Sequence, residues 1–193
     1  MSENYQKFIS KEEINDLPML NFTGKMVVIE TIEDALPAIE KLSTEKYLGF
    51  DTETKPSFTK GEVYQVAMLQ LATDNEAYLF RLNKMPFCKE LAALVSNPNI
   101  IKAGVGIQDD LKGLQKVLPS TPEGFVDLSK EATKRDFTSL GLRALTAIFL
   151  GVRLSKAAKI TNWERGILTP AQLEYAALDA MVGLQIYKKM FEL

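Results

Sequence analysis

The chain has 193 residues, 46% of them apolar and 25% charged, with a formal net charge of −2, the makeup of a single globular domain with a sizeable core. One cysteine and no histidine exclude an internal disulfide, zinc sites of the usual ligand sets, and nucleophile systems of the Ser-His-Asp or Cys-His kind. Hydrolytic chemistry in this chain therefore falls to carboxylates, lysines, tyrosines or a metal held by oxygen.

The N-terminal stretch "MSENYQKFISKEEINDL" is polar and acidic and has no apolar core of a signal peptide. No apolar run approaches the ~18 residues of a membrane span, so the expected location is the cytoplasm or another intracellular compartment. Ser10 and Glu13 stand at capping-box spacing and predict a short helix before Pro18. A strand at 26–30 and an amphipathic helix at 31–43 follow. Three β-like runs at 47–53, 63–73 and 76–82 then read as an antiparallel meander. A helix at about 86–96 holds Cys88 in a packing position beside Phe87, Leu91 and Leu94. Strands at 100–107 and 125–129 flank a helix at about 110–118, and helices fill most of the rest. Thr169 is a natural N-cap for the last of them, with Pro170 in the first helical position. Adjacent strands followed by strand–helix alternation predict an α/β domain, a mixed sheet with helices on its faces.

Carboxylates mark three places on this frame. Asp51 and Glu53 are two apart on a strand and so project from one face, with Phe50 and Thr52 on the other. Taken alone they could be two solvated acids at a strand end. In "GVGIQDDLKGL" (104–114) an acid follows a second strand. A dinucleotide fingerprint is excluded there, because Asp109 replaces the third glycine and would repel a pyrophosphate. One of Asp109 and Asp110 is expected to cap the helix. Tyr175 and Asp179 lie at i and i+4 on the last helix, one turn apart on one face, where a buried Tyr–Asp hydrogen bond is the plainer reading. Residues 130–165 carry eight Lys/Arg against three acids, a +5 segment in a chain whose remainder is −7. That segment is either a solvated helix face or a patch facing phosphates.

In this order, D-x-E on a strand, an Asp after a second strand and Y-x-x-x-D on a late helix form one pattern. The chain resembles the DEDD-type 3′–5′ exonucleases of the tyrosine subclass, the ribonuclease D-like and Werner-syndrome-type exonuclease domains. The matching stretches are "GFDTE", "VAMLQLAT", "KAGVGIQDDLKGL", "GLRALTAIFLGVRLSKAAKITNW" and "LEYAALDA". The resemblance implies a ribonuclease H-like fold over 26–193, with 1–25 an N-terminal extension. It also implies Asp51, Glu53, Asp110, Tyr175 and Asp179 as catalytic residues. The four acids would hold two Mg²⁺ or Mn²⁺ ions, the hard cations that oxygen ligands select. The register "GVGIxxD" selects Asp110 over Asp109. The expected reaction releases nucleoside 5′-monophosphates from the 3′ end of DNA or RNA, and the expected partner is a single-stranded or otherwise 3′-ended nucleic acid. Arg143, Arg153, Lys156 and Lys159 are expected to hold the strand, and Trp163 to pack beneath the site. Two rivals stand beside this reading: a catalytically silent nucleic-acid-binding module on the same fold, and a ribonuclease H-like enzyme that cuts internally.

Overall fold

The computed structural model describes residues 5–155 and 160–193. Among these, six strands form one mixed sheet: β1 (Lys25–Ile29), β2 (Tyr47–Thr54), β3 (Val66–Ala72), β4 (Glu76–Phe80), β5 (Ile101–Gly104) and β6 (Phe125–Asp127). Their spatial order is β1-β4-β3-β2-β5-β6. β2, β3 and β4 make the expected antiparallel meander, while β1, β5 and β6 join it in parallel. The helices are α1 (Lys11–Asp16), α2 (Ile32–Leu42), α3 (Lys89–Val95), α4 (Gln108–Val117), α5 (Leu128–Thr133), α6 (Leu142–Leu150) and α7 (Pro170–Met190).

Period-two alternation sorts the strand residues into two cores. Leu48, Phe50, Leu69, Leu71, Tyr78 and Phe80 face α2, α3 and α4. Met68, Ala72, Ala77 and Leu79 face the other way, toward a core shared with α1, α5, α6 and α7. Asp51 and Glu53 belong to this second face, the one that α7 crosses.

Caps set several helix starts. Ser10 and Glu13 bond reciprocally to each other's backbone N–H, as their spacing predicts, and Thr169 and Gln172 repeat the arrangement at α7 with Pro170 at its first position. The start of α4 departs from expectation. Its N-cap is Ile107 and no side chain caps it, so neither Asp109 nor Asp110 is the cap. The helix begins earlier than the sequence suggests, which leaves both acids in its first turn, free to serve other partners.

Helix α7 lies directly on the sheet. A Cβ added to Gly49 of β2 would stand 1.9 Å from the Ala180 carbonyl oxygen, and one on Gly183 would stand 2.9 Å from that of Ala103. Two glycines thus allow helix and strand backbones to touch. That approach draws Asp179, only 6% exposed, down onto the strand that carries Asp51.

Residues 5–25 run along α6 and α7. Tyr5 packs on Phe149 at 4.5 Å between ring centroids, Ile9 and Ile14 enter the core, and the Phe22 N–H donates to Glu174 at 3.1 Å. No helix among the described residues is long and apolar enough to cross a membrane.

Candidate active site

A cavity of about 590 Å³ opens where the end of β2, the N-terminal part of α7 and the start of α6 meet. Asp51, Thr52, Glu53, Tyr175 and Asp179 line it, with Arg143, Ser129 and Ser155 around them. Asp51, Glu53 and Asp179 each offer a carboxylate oxygen, and these three oxygens all lie within 4.8 Å of one another. The strand supplies two of them by its period of two, and α7 supplies the third through the glycine contact.

The grouping is electrostatically costly for a metal-free protein. Burial holds the Asp51 carboxyl well above the ordinary carboxylate range, the charges of Asp179 and Asp110 push it further, and one N–H from Thr52, at 2.9 Å, opposes them. Burial raises the Tyr175 phenol far above its usual range, helped by the charges of Asp179 and Glu53 and by the hydrogen bond it donates to Asp179. Tyr175 is therefore a neutral donor in the metal-free protein. Oxygen-only donors that repel one another fit a hard divalent cation, whose charge would offset the repulsion among the carboxylates.

Asp110 comes from a different direction. It sits in the first turn of α4, and its Oδ1 accepts a hydrogen bond from the Thr52 hydroxyl at 2.5 Å. It lies outside the tight trio, yet close enough for its charge to act on Asp51. Its own carboxyl is raised by burial, with the Thr52 bond opposing. Asp109 points elsewhere, paired with Lys112 at 2.8 Å. Thr52, whose role the sequence reading did not find, thus ties the second acidic motif to the first. Its place between two carboxylates on a strand was the available signal.

The basic residues separate. Arg143 lines the cavity, and its Nε donates to the Leu154 carbonyl at 3.3 Å. Arg153 instead holds the N-terminal segment. Its Nε donates to the Leu17 carbonyl at 2.9 Å, and its backbone bridges to Met19. Lys156 and Lys159 lie outside the described residues. Trp163 is fully buried, 6.2 Å from the Tyr175 ring between centroids. Its segment is clamped from behind by Arg81 and Lys84, which donate to the carbonyls of Arg165 and Gly166. Ile14 of α1 forms part of the cavity wall, a contribution from the N-terminal segment that no motif announced.

Fold and site together define a ribonuclease H-like nuclease domain with an acidic centre. The chain belongs to the 3′–5′ exonuclease family, whose model matches residues 26–193. A bifunctional 3′–5′ exonuclease/ATP-dependent helicase of Mus musculus is 34% identical over 94% of this chain, which spans 14% of that protein's length. The crystal structure of Escherichia coli RNase D, an exoribonuclease, superposes with a TM-score of 0.80 at 24% identity, covering 87% of this chain and 44% of that one. Trypanosoma brucei RNase D in complex with an RNA, U12, superposes with a TM-score of 0.76 at 20% identity, covering 88% and 63%.

Proposed function

We propose that this protein is a 3′–5′ exonuclease that hydrolyses the terminal phosphodiester of DNA or RNA and releases nucleoside 5′-monophosphates. The observation that carries this reading is the trio Asp51, Glu53 and Asp179, its oxygens within 4.8 Å of one another, beside Tyr175 in one cavity. Two Mg²⁺ or Mn²⁺ ions bound there would supply charge neutralisation at phosphorus and a nucleophile at neutral pH. Asp51 groups tightly with Glu53 and Asp179 and also feels the charge of Asp110, so these four acids would hold the ions, with Asp51 common to both groupings. Asp110, held by Thr52, would contribute to holding the ions from the α4 side.

Tyr175 keeps its proton and donates to Asp179, so its part is to orient the attacking water, not to deprotonate it. Arg143 brings positive charge to the cavity wall, where the phosphates of the remaining strand would pass. The trypanosomal relative bound to RNA supports a nucleic acid as substrate. A silent binding module is the less favoured reading, because all four acids and the tyrosine are retained.

The test is digestion of matched 5′-labelled single-stranded DNA and RNA, with circular single strands as a control, in Mg²⁺, Mn²⁺ or EDTA. A ladder shortening from the 3′ end, with circles intact and with no cleavage by Asp51→Ala or Asp179→Ala, is the expected result. Degraded circles would assign the internal cutter. Intact linear strands in every metal would assign the binding module.

A further inference from the structure

Strand β3, "VAMLQLA", is buried along its whole length, and Gln70 is its one polar residue. The Gln70 side chain is 0% exposed, and neither its Nε2 nor its Oε1 has a hydrogen-bond partner. A stranded carboxamide is a destabilising feature that native interiors seldom keep, and methionine would fill the same space without that cost. Packing alone therefore does not account for Gln70.

The sheet register does. Gln70 is paired directly with Asp51 across β2 and β3, and Met68 with Glu53. Side chains of paired residues rise from the same face with Cβ atoms about 4.5–5.5 Å apart. Gln70 therefore rises, beneath α7, from the same sheet face as Asp51 of the acidic trio and directly next to it. An ionised carboxylate has about four acceptor positions, and one oxygen of Asp51 takes the Thr52 N–H at 2.9 Å.

We propose that Gln70 is a positioning residue for the metal centre: its buried amide donates to the Asp51 carboxylate once divalent ions fix that carboxylate's orientation. The inference rests on the metal-site reading above. Partners of this kind orient a ligand and sharpen its affinity for the ion, and losing one typically weakens metal binding by about 10–100-fold. Unlike a packing residue, Gln70 would burden the metal-free protein and help only the loaded one. Its removal should therefore move metal affinity and metal-free stability in opposite senses.

The experiment compares the full-length wild-type chain with Gln70→Met. Mn²⁺ binding is measured by calorimetry without nucleic acid, and thermal unfolding is followed in EDTA. The expected result is Mn²⁺ affinity at least about tenfold weaker and an EDTA Tm equal to or above that of the wild type. Gln70→Glu, which replaces the donating amide with an acceptor, should also raise the Mn²⁺ concentration needed for half-saturation. Tighter Mn²⁺ binding by Gln70→Glu would make residue 70 a ligand position and overturn the donor role. Mn²⁺ affinities within twofold of wild type for both variants would overturn the proposal, as would a Gln70→Met chain that fails to fold, since the amide would then serve the fold. A wild-type chain that binds no Mn²⁺ would remove the metal site itself and this inference with it.

Discussion

Lys102 offers a sharp test of how burial acts in this fold. Its side chain is fully buried in β5, and its ammonium donates to the Asn97 carbonyl at 2.8 Å and the Leu94 carbonyl at 3.4 Å. Burial lowers its pKa from 10.5 to about 8, with the charge of Glu123 opposing weakly. The sign is the reverse of an ordinary paired lysine. Below pH 8 the group is charged in both the folded and unfolded chains, and the full burial cost is present. Between about pH 8 and 10.5 the folded chain holds it neutral while the unfolded chain still binds the proton, so stability rises with pH. The gain is about 1 kcal/mol at pH 9 and roughly twice that at pH 10, approaching a limit of about 3 kcal/mol. Urea denaturation of wild type and Lys102→Met at pH 7, 8, 9 and 10 isolates this contribution, because other titrating groups act equally in both proteins. The wild-type stability should climb relative to the variant by those amounts. A difference that stays constant from pH 7 to 10 would falsify the reasoning and mean that Lys102 reaches water.

Three further outcomes are expected. Asp51→Asn should reduce cleavage by at least about 10²–10³-fold, yet raise the Tm in EDTA, because it removes a partly buried carboxylate repelled by Asp179 and Asp110; a lower EDTA Tm would contradict the charge argument. Tyr175→Phe keeps the ring beside Trp163 and loses only the hydrogen bond to Asp179, so kcat should fall about 10²-fold with KM and Tm nearly unchanged. Wild-type kcat in that variant would remove Tyr175 from the mechanism. Gly49→Ala should destabilise by about 3 kcal/mol, at the upper end of overpacking, since its Cβ collides with the Ala180 backbone; chemical denaturation reads it, and a neutral result would mean that α7 does not rest on β2 as described.

Where local periodicity decides, the sequence was sufficient. A strand turns Asp51 and Glu53 to one face, and a helix stacks Tyr175 and Asp179 one turn apart, whatever surrounds them. The capping box at Ser10, the N-cap at Thr169 and the antiparallel meander are of the same kind, each set by neighbours close in the chain. Helix α4 shows the limit. Its cap at Ile107 carries no side-chain signal, and so the expectation that Asp109 or Asp110 would cap the helix was wrong.

Everything that joins these local pieces belongs to the tertiary structure, because it depends on contacts between residues far apart in the chain. The close seat of α7 on Gly49 brings Asp179 to Asp51, and the Thr52 hydroxyl ties in Asp110. A run of basic residues looked uniform in sequence, yet packing sends Arg143 into the cavity and commits Arg153 to the backbone of Leu17. Register likewise sets Gln70 opposite Asp51, and helix packing closes Lys102 away from water. The composition and spacing of this chain determined which chemical groups were available and which of them travel together. Their convergence was decided by strand register and backbone contact, which no local pattern encodes.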